Sequence, residues 1–113
     1  MSNVDHIALL VDDLVLAEQW YLEHMDAEVT FRDKKYIRLT VKNTNIALID
    51  KQFYPYAHIA LLVENIEDLP TDKGEVVKHR DGTIGVYVKD PFGNYLEYIW
   101  YSDKQKEVFL NND

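Results

Sequence analysis

The hexapeptide His6-Ile7-Ala8-Leu9-Leu10-Val11 occurs twice, and its second copy is His58-Ile59-Ala60-Leu61-Leu62-Val63. An identical hexapeptide is not expected twice by chance in a chain of 113 residues. The repeat therefore indicates two copies of one supersecondary unit. Each copy starts with a histidine and continues into apolar, partly β-branched residues. That pattern is typical of a buried strand with a polar, metal-capable side chain at its start.

The residues that follow the first copy predict a βαβββ module over residues 4–50. It has a strand at 4–11 and a helix at about 13–25, for which Asp12 and Asp13 are N-cap candidates. Three strands follow at about 27–32, 35–41 and 45–50, with polar turns between them. The apolar stripe of the helix, which is Leu14, Ala17, Trp20, Tyr21 and Met25, predicts that Trp20 and Tyr21 are core aromatics.

The second module covers residues 56–101 and repeats the first with a weaker helix. Pro70 stops that helix early, so only a short helix or a single turn is expected. Strands are predicted at about 75–79, 84–89 and 94–101. The tail, 102–113, is expected either to dock as a short helix or to fray. The chain 1–113 is therefore predicted to be a single α+β domain of two coupled modules with a C-terminal tail.

The composition excludes several classes of function. The absence of cysteine excludes disulfides and thiol catalysis and suits a reducing cytoplasm. The formal net charge of −8 argues against binding nucleic acid. No apolar run approaches the roughly 20 residues of a membrane span, and the first residues do not have the pattern of a signal peptide. We therefore expect a cytoplasmic protein that binds neither nucleic acid nor a membrane.

Three residues carry the chemistry that the sequence suggests. His6 and His58 start the repeated strands, and an approximate two-fold relation between the modules would bring such equivalent positions together. Glu97 lies among apolar residues on the last strand, where a lone carboxylate is costly to bury and a cation would remove that cost. Two imidazoles and one carboxylate form a facial triad with open coordination positions. Taken singly, each residue could be an ordinary polar group bonded to the backbone; the repeat favours a metal site.

Beyond the repeat, the stretch Lys89-Asp90-Pro91-Phe92-Gly93-Asn94-Tyr95-Leu96-Glu97 resembles the vicinal oxygen chelate superfamily. That superfamily includes glyoxalase I, the extradiol dioxygenases, the fosfomycin-resistance enzymes and the bleomycin-resistance proteins. The resemblance covers about residues 4–101 and implies two βαβββ modules whose curled mixed sheets surround a cleft, as in glyoxalase. It also implies His6, His58 and Glu97 as the ligands of a divalent metal ion.

Other positions bear on which member of the superfamily the chain resembles. The family's possible fourth ligand aligns with Ala47, which cannot bind a metal, so three ligands fit the fosfomycin-resistance and extradiol patterns better than glyoxalase I. Tyr87 stands ten residues before Glu97, where both of those groups carry a pocket tyrosine. The extra catalytic histidine of the extradiol dioxygenases has no counterpart, because neither His24, on the predicted helix, nor His79, late in the second module, is placed for it. Both histidines are expected to be surface residues.

Alternation along the strands supplies candidates for a substrate pocket. If the apolar residues of the strand 35–41 face the helix, Tyr36 and Arg38 face the opposite side. The guanidinium of Arg38 suits an anionic substrate group, although a salt bridge on the sheet face is an equal alternative. Tyr95 shares a face with Glu97 in the same alternation.

The resemblance implies a metal-dependent lyase, isomerase or transferase that acts on a small oxygenated substrate. The metal would act as a Lewis acid, and Mn, Fe, Ni, Co or Zn would all fit the ligands. Two alternatives stay open: a non-catalytic binding protein of the bleomycin-resistance type, and an extradiol-type dioxygenase. A homodimer is also implied, in which His6 of one chain can join His58 and Glu97 of the other. The candidate catalytic residues are Glu97 and Tyr87, and the candidate substrate-binding residues are Arg38, Tyr36, Tyr87 and Tyr95.

Overall fold

The computed structural model describes residues 2–79 and 81–102, and these residues form the predicted α+β fold. The predicted strands and the main helix begin and end within one residue of their predicted bounds. The predicted C-terminal tail lies outside the described residues apart from Ser102. In chain order the elements are β1 (Val4–Val11), α1 (Leu14–His24), β2 (Glu28–Arg32), β3 (Tyr36–Val41), β4 (Thr44–Asp50), β5 (His58–Val63), a 3-10 turn (Ile66–Asp68), β6 (Glu75–Lys78), β7 (Ile84–Lys89) and β8 (Tyr95–Trp100).

The described chain divides into two compact units, and their strands are arranged in the same way. The first unit is Val4–Ile59, and the second comprises residues 2–3 and 60–102. The strand order of the first is β1-β4-β3-β2, with β1 and β4 parallel and the other pairs antiparallel. In the second unit the order is β5-β8-β7-β6. The repeat in the sequence is therefore also a repeat of strand order. The grouping of both units into one domain stays a prediction.

Helix α1 covers one face of the sheet of the first unit. Asp13 caps it, and its Oδ1 accepts a hydrogen bond from the backbone N–H of Leu16 at 3.1 Å. Leu14, Ala17 and Tyr21 of the helix pack against the strand residues Ile37, Leu39 and Leu48, which are almost fully buried. Burying an aliphatic side chain of this size contributes about 1.5–3 kcal/mol. This apolar layer fixes which face of the sheet is left for polar residues.

The prediction that Trp20 is a core aromatic is wrong, whereas Tyr21 packs as predicted. Trp20 is 53% exposed and stacks on His24, with 4.0 Å between the ring centroids. Consecutive helix residues point about 100° apart, and the sheet packs against the side of α1 that carries Tyr21. His24 lies at the surface, as predicted, and its Nδ1 hydrogen-bonds to the carbonyl oxygen of Trp20 at 2.6 Å.

The second predicted helix is a single 3-10 turn, Ile66–Asp68, which agrees with the early stop at Pro70. Within residues 2–79 and 81–102, no helix is long and apolar enough to cross a membrane.

A tight turn with Asp90 at its first position joins β7 to β8. The Oδ1 atom of Asp90 accepts hydrogen bonds from the backbone N–H groups of Phe92 and Asn94, each at 2.8 Å. Gly93 has a φ of +91°, which favours glycine. The hydrogen bond from the Asn94 backbone, joined by the one from Phe92, holds the pKa of the Asp90 carboxyl below its usual value. The turn sets where β8 begins and therefore where Glu97 lies on that strand.

Replacing Asp90 with alanine should destabilise the protein in a pH-dependent way, because the turn loses its acceptor. The pKa of Asp90 is lowered on folding, so its contribution is complete above the unfolded pKa of about 3.9. That contribution is lost as the pH falls through the lower folded value. Urea unfolding of wild type and Asp90→Ala at several pH values checks this, with Asp72→Ala, at an exposed carboxylate, as the control. If the difference in urea midpoint between wild type and Asp90→Ala does not change with pH, the pH-dependent contribution assigned to Asp90 is contradicted.

Candidate metal centre

The two repeated histidines lie side by side in the first unit. The ring centroids of His6 and His58 are 5.5 Å apart, and the rings are inclined at 74°. Each offers a ring nitrogen, and these two nitrogens lie within 4.8 Å of one another. Metal–imidazole bonds are about 2.0–2.1 Å long, so two nitrogens that share one cation lie at most about 4.2 Å apart, which is close to the upper bound of 4.8 Å on their separation here. The repeat therefore brings its two equivalent side chains together, as expected from the sequence.

Hydrogen bonds hold both histidine rings through Nδ1. The Nδ1 of His58 is 2.9 Å from the carbonyl oxygen of Tyr56, and that of His6 is 2.7 Å from Oδ2 of Asp5. A carbonyl oxygen or a carboxylate can only accept, so Nδ1 carries the hydrogen and the lone pair of the neutral ring is on Nε2. Histidines that bind metals commonly donate their other N–H to such acceptors. Both rings are thus held in the tautomer that presents Nε2 to a metal.

A chain of hydrogen bonds crosses the sheet of the first unit toward the His6 strand. The hydroxyl oxygens of Thr30 and Thr40 are 2.8 Å apart, and the Thr40 hydroxyl donates to Oδ1 of Asn45 at 2.7 Å. The Asn45 amide then donates to the backbone carbonyl of Asp5 at 3.4 Å. Because Asp5 also contacts the His6 ring, this chain supports the histidine from the side of β4.

Tyr36 and Arg38 face away from the helix, as alternation predicted. Tyr36 packs with Ala8 and Ala47, a cluster separate from the one under the helix. Arg38 pairs with Ala47 across the strands, and its Nε donates to the hydroxyl of Thr30 at 3.0 Å. Ala47 is buried and carries no ligand atom, so the first unit provides no acidic group at position 47.

Glu97 lies in the second unit and is one of its most deeply buried residues, with 1% of its surface exposed. Tyr87 is its cross-strand partner, so the two share a face of the sheet, and Tyr95 lies on that face two residues earlier. The Nε2 of His79 is 2.8 Å from Oε2 of Glu97. The ring of His79 also meets that of Tyr87 edge-on, with 6.4 Å between the centroids. Glu97, Tyr87 and His79 therefore form one polar group on this face.

The expectation that His79 is a surface residue is wrong. Its side chain is only 22% exposed and contacts Glu97. Burial alone lowers the pKa of the imidazole, but the hydrogen bond and charge of Glu97, together with the charge of Asp81, raise it more, so that the pKa lies above its usual value. The sequence offered one signal, which is Gly85 inside the predicted strand 84–89. An isolated glycine in a strand often marks a close approach.

Gly85 makes room for the contact between Glu97 and His79. A Cβ atom at this position would overlap Oε2 of Glu97 and would lie 2.9 Å from Nε2 of His79. The carboxylate thus lies directly over the Gly85 backbone. Among the described glycines, Gly82 and Gly93 have a positive φ and Gly85 does not. Glycine is therefore required at position 85 because it has no side chain, and not because of its backbone conformation.

Comparison with known proteins identifies the fold. No family model and no curated protein matches the chain. Among solved structures, a glyoxalase/bleomycin resistance protein/dioxygenase superfamily member from Vibrio splendidus has a TM-score of 0.66 at 14% identity, over 89% of this chain and 100% of that one. The fold is that of this superfamily. Methylmalonyl-CoA epimerase from Mycobacterium tuberculosis has a TM-score of 0.71 at 14% identity, over 92% of this chain and 91% of that one.

A variant of homoprotocatechuate 2,3-dioxygenase from B. fuscum shares the fold over part of its length. Its TM-score is 0.62 at 21% identity, over 88% of this chain but only 32% of that one. The neighbours thus include an epimerase and a dioxygenase. The glyoxalase-like fold expected from the resemblance is therefore confirmed, whereas no single reaction follows from it.

The substitution Gly85→Ala should destabilise the protein. Alanine in place of glycine normally stabilises by about 0.4–1 kcal/mol where the backbone allows it, but overpacking a buried site costs about 1–3 kcal/mol. We expect the clash to be the larger effect, since Glu97 has no exposed space to move into. A double-mutant cycle with Glu97→Ala, measured by urea unfolding, isolates the clash. An equal effect of Gly85→Ala with and without the Glu97 side chain would contradict this account.

Proposed function

We propose that the chain is a glyoxalase-type metalloprotein in which His6, His58 and Glu97 hold one divalent metal ion. The proposed activity is that of a lyase, isomerase or transferase acting on a small oxygenated substrate. The observation that carries the proposal is the pair of histidines at equivalent positions of the repeat, 5.5 Å apart and each held through Nδ1. Two imidazoles and a carboxylate suit Mn, Fe, Ni, Co or Zn.

Glu97 is the proposed third ligand because of its burial. An ionised carboxylate with 1% exposure needs a compensating cation or hydrogen bonds. His79 supplies one hydrogen bond, and a divalent metal ion would supply the opposite charge. We propose that the carboxylate comes from the same chain as the histidines or from a second copy.

The proposed roles of the other residues follow from their chemistry. A bound divalent metal would act as a Lewis acid on the adjacent oxygens of the substrate. Arg38 would bind an anionic group of the substrate through its guanidinium fork, and Tyr36 and Tyr95 would line the pocket. Tyr87 would hold a proton at a substrate oxygen through its phenol. Glu97, when displaced by the substrate, would accept a proton.

The variant Glu97→Gln should lose metal while keeping its fold, because glutamine has the same shape and a weaker, neutral oxygen donor. Loss of a direct ligand should weaken binding by more than the roughly 10–100-fold cost of losing a supporting contact. Calorimetric titration with Mn(II) or Co(II), together with circular dichroism, measures both properties. In wild type, metal at 100 times its Kd should stabilise the protein by about 2.7 kcal/mol.

Glu67→Gln is the matched control, since Glu67 is an exposed carboxylate of the same unit. It should bind metal as wild type does. If Glu97→Gln also binds metal with unchanged affinity, Glu97 is not a ligand. If wild type takes up no metal and shows no thermal shift, the bleomycin-resistance type of binding protein becomes the better proposal.

The contact of His79 with Glu97 favours extradiol-type oxygen chemistry as a second candidate. Extradiol dioxygenases use an additional histidine, and His79 is a half-buried histidine 2.8 Å from a proposed ligand. This candidate requires Fe(II), and the iron-loaded protein should consume oxygen when a catechol is added. An oxygen electrode measures this directly, and no uptake with the iron-loaded protein would count against the second candidate only.

We also propose that the chain forms a homodimer, as the resemblance implies. Light scattering should give about twice the chain mass of 13.3 kDa. Mixing the His6→Ala and Glu97→Ala variants then shows whether the ligands come from one chain or from two. If the site is shared between chains, each mixed dimer contains one intact site and binds metal again. A mass equal to that of one chain would contradict the dimer.

A further inference from the structure

Two features of the second unit meet at one oxygen atom, Oε2 of Glu97, and a third lies beside them. The imidazole of His79 reaches it through Nε2 at 2.8 Å. Gly85 leaves the space that it occupies, since a Cβ there would overlap this same oxygen. Tyr87, the cross-strand partner of Glu97, meets the ring of His79 edge-on. The position of Oε2 is therefore set by its neighbours.

The backbone around His79 is fixed by a short turn. The N–H of His79 donates to the carbonyl of Thr83 at 2.9 Å, and the N–H of Gly82 donates to the carbonyl of His79 at 3.0 Å. Thr83 is 2% exposed, and its backbone N–H and hydroxyl both donate to Oδ1 of Asp81, at 2.9 and 2.8 Å. The imidazole thus extends from a residue whose backbone N–H and carbonyl are both hydrogen-bonded.

We propose that His79 is a positioning residue for Glu97, which it holds by Oε2 so that the carboxylate offers a metal ion one oxygen and not both. This inference rests on the proposed function, because it takes Glu97 as a metal ligand. Carboxylates that bind metals are commonly held by such hydrogen bonds, and losing one costs about 10–100-fold in metal affinity. With Oε2 engaged, Glu97 occupies a single coordination position, which leaves more positions for two adjacent oxygens of a substrate.

A purely structural role for His79 would have different consequences. If the imidazole only compensated the buried charge of Glu97, its loss would lower the stability of the metal-free protein, and any metal that then bound would keep its normal coordination. A positioning role requires that the coordination of the metal itself changes. The experiment therefore has to observe the metal as well as the stability of the protein.

Two substitutions of His79 separate these roles. Glutamine places an N–H donor close to where Nε2 of histidine lies, whereas asparagine is too short for its amide to reach Oε2. Cobalt(II) is the probe, since calorimetry gives its Kd and its visible absorption reports its coordination. We expect His79→Asn to bind cobalt(II) about 10–100-fold more weakly than wild type, with a changed spectrum, and His79→Gln to stay close to wild type in both. His24→Asn, at an exposed histidine, is the control and should behave as wild type.

The variant Gly85→Ala gives a second test that leaves His79 in place. It displaces Oε2 by steric overlap, so it should also weaken cobalt(II) binding and change the spectrum. The inference is overturned if His79→Asn binds cobalt(II) with wild-type affinity and spectrum. If His79→Asn does not fold, the same result for Gly85→Ala overturns it. It is also overturned if His79→Gln fails in the same way as His79→Asn. Wild-type protein that binds no cobalt(II) would overturn the proposed function together with this inference.

Discussion

The second unit is built around one buried carboxylate, that of Glu97. Glu97 is 1% exposed, and the effective cost of removing an ionised carboxylate from water is several kcal/mol. Residues close to Glu97 in the same unit accommodate its carboxylate. The turn after β6 directs His79 inward, Gly85 leaves space above its backbone, and Tyr87 stands across from the acid on β7.

The first unit uses the same strand order for a different set of side chains. Its helix covers one face with an apolar layer, which leaves the other face to His6, Tyr36, Arg38 and the linked threonines. Because β1 and β4 are parallel and adjacent, the strand that carries His6 lies beside the one that carries Asn45 and Ala47. The pairing of β1 with β4 begins at Ile7, directly after His6. A regular strand is a more precise support for a metal ligand than a loop.

The sequence alone was enough for the fold, because periodicity and turn residues report directly on local backbone structure. The repeated hexapeptide, Pro70 and the Asp90 turn placed the elements to within one residue. Side-chain environments were harder to predict, since they depend on tertiary contacts. Trp20 and Tyr21 follow the same apolar pattern, and only the packed sheet shows which of them contacts the core. His79 was missed because its surroundings come from a strand 18 residues away, and only Gly85 hinted at that contact.

The two halves differ at one equivalent pair of cross-strand neighbours, and the difference has an electrostatic meaning. Arg38 stands across from Ala47 in the first unit, whereas Tyr87 stands across from Glu97 in the second. Under the proposed ligand set, two neutral imidazoles and one carboxylate leave a divalent ion with a net charge of about +1. A second carboxylate at position 47 would remove that charge and would repel anionic oxygens of a substrate. Alanine at position 47 adds no negative charge, and the guanidinium of Arg38 adds a positive charge to the same half. Under the proposed function, this asymmetry would favour a substrate that carries negative charge on its oxygens over a neutral one.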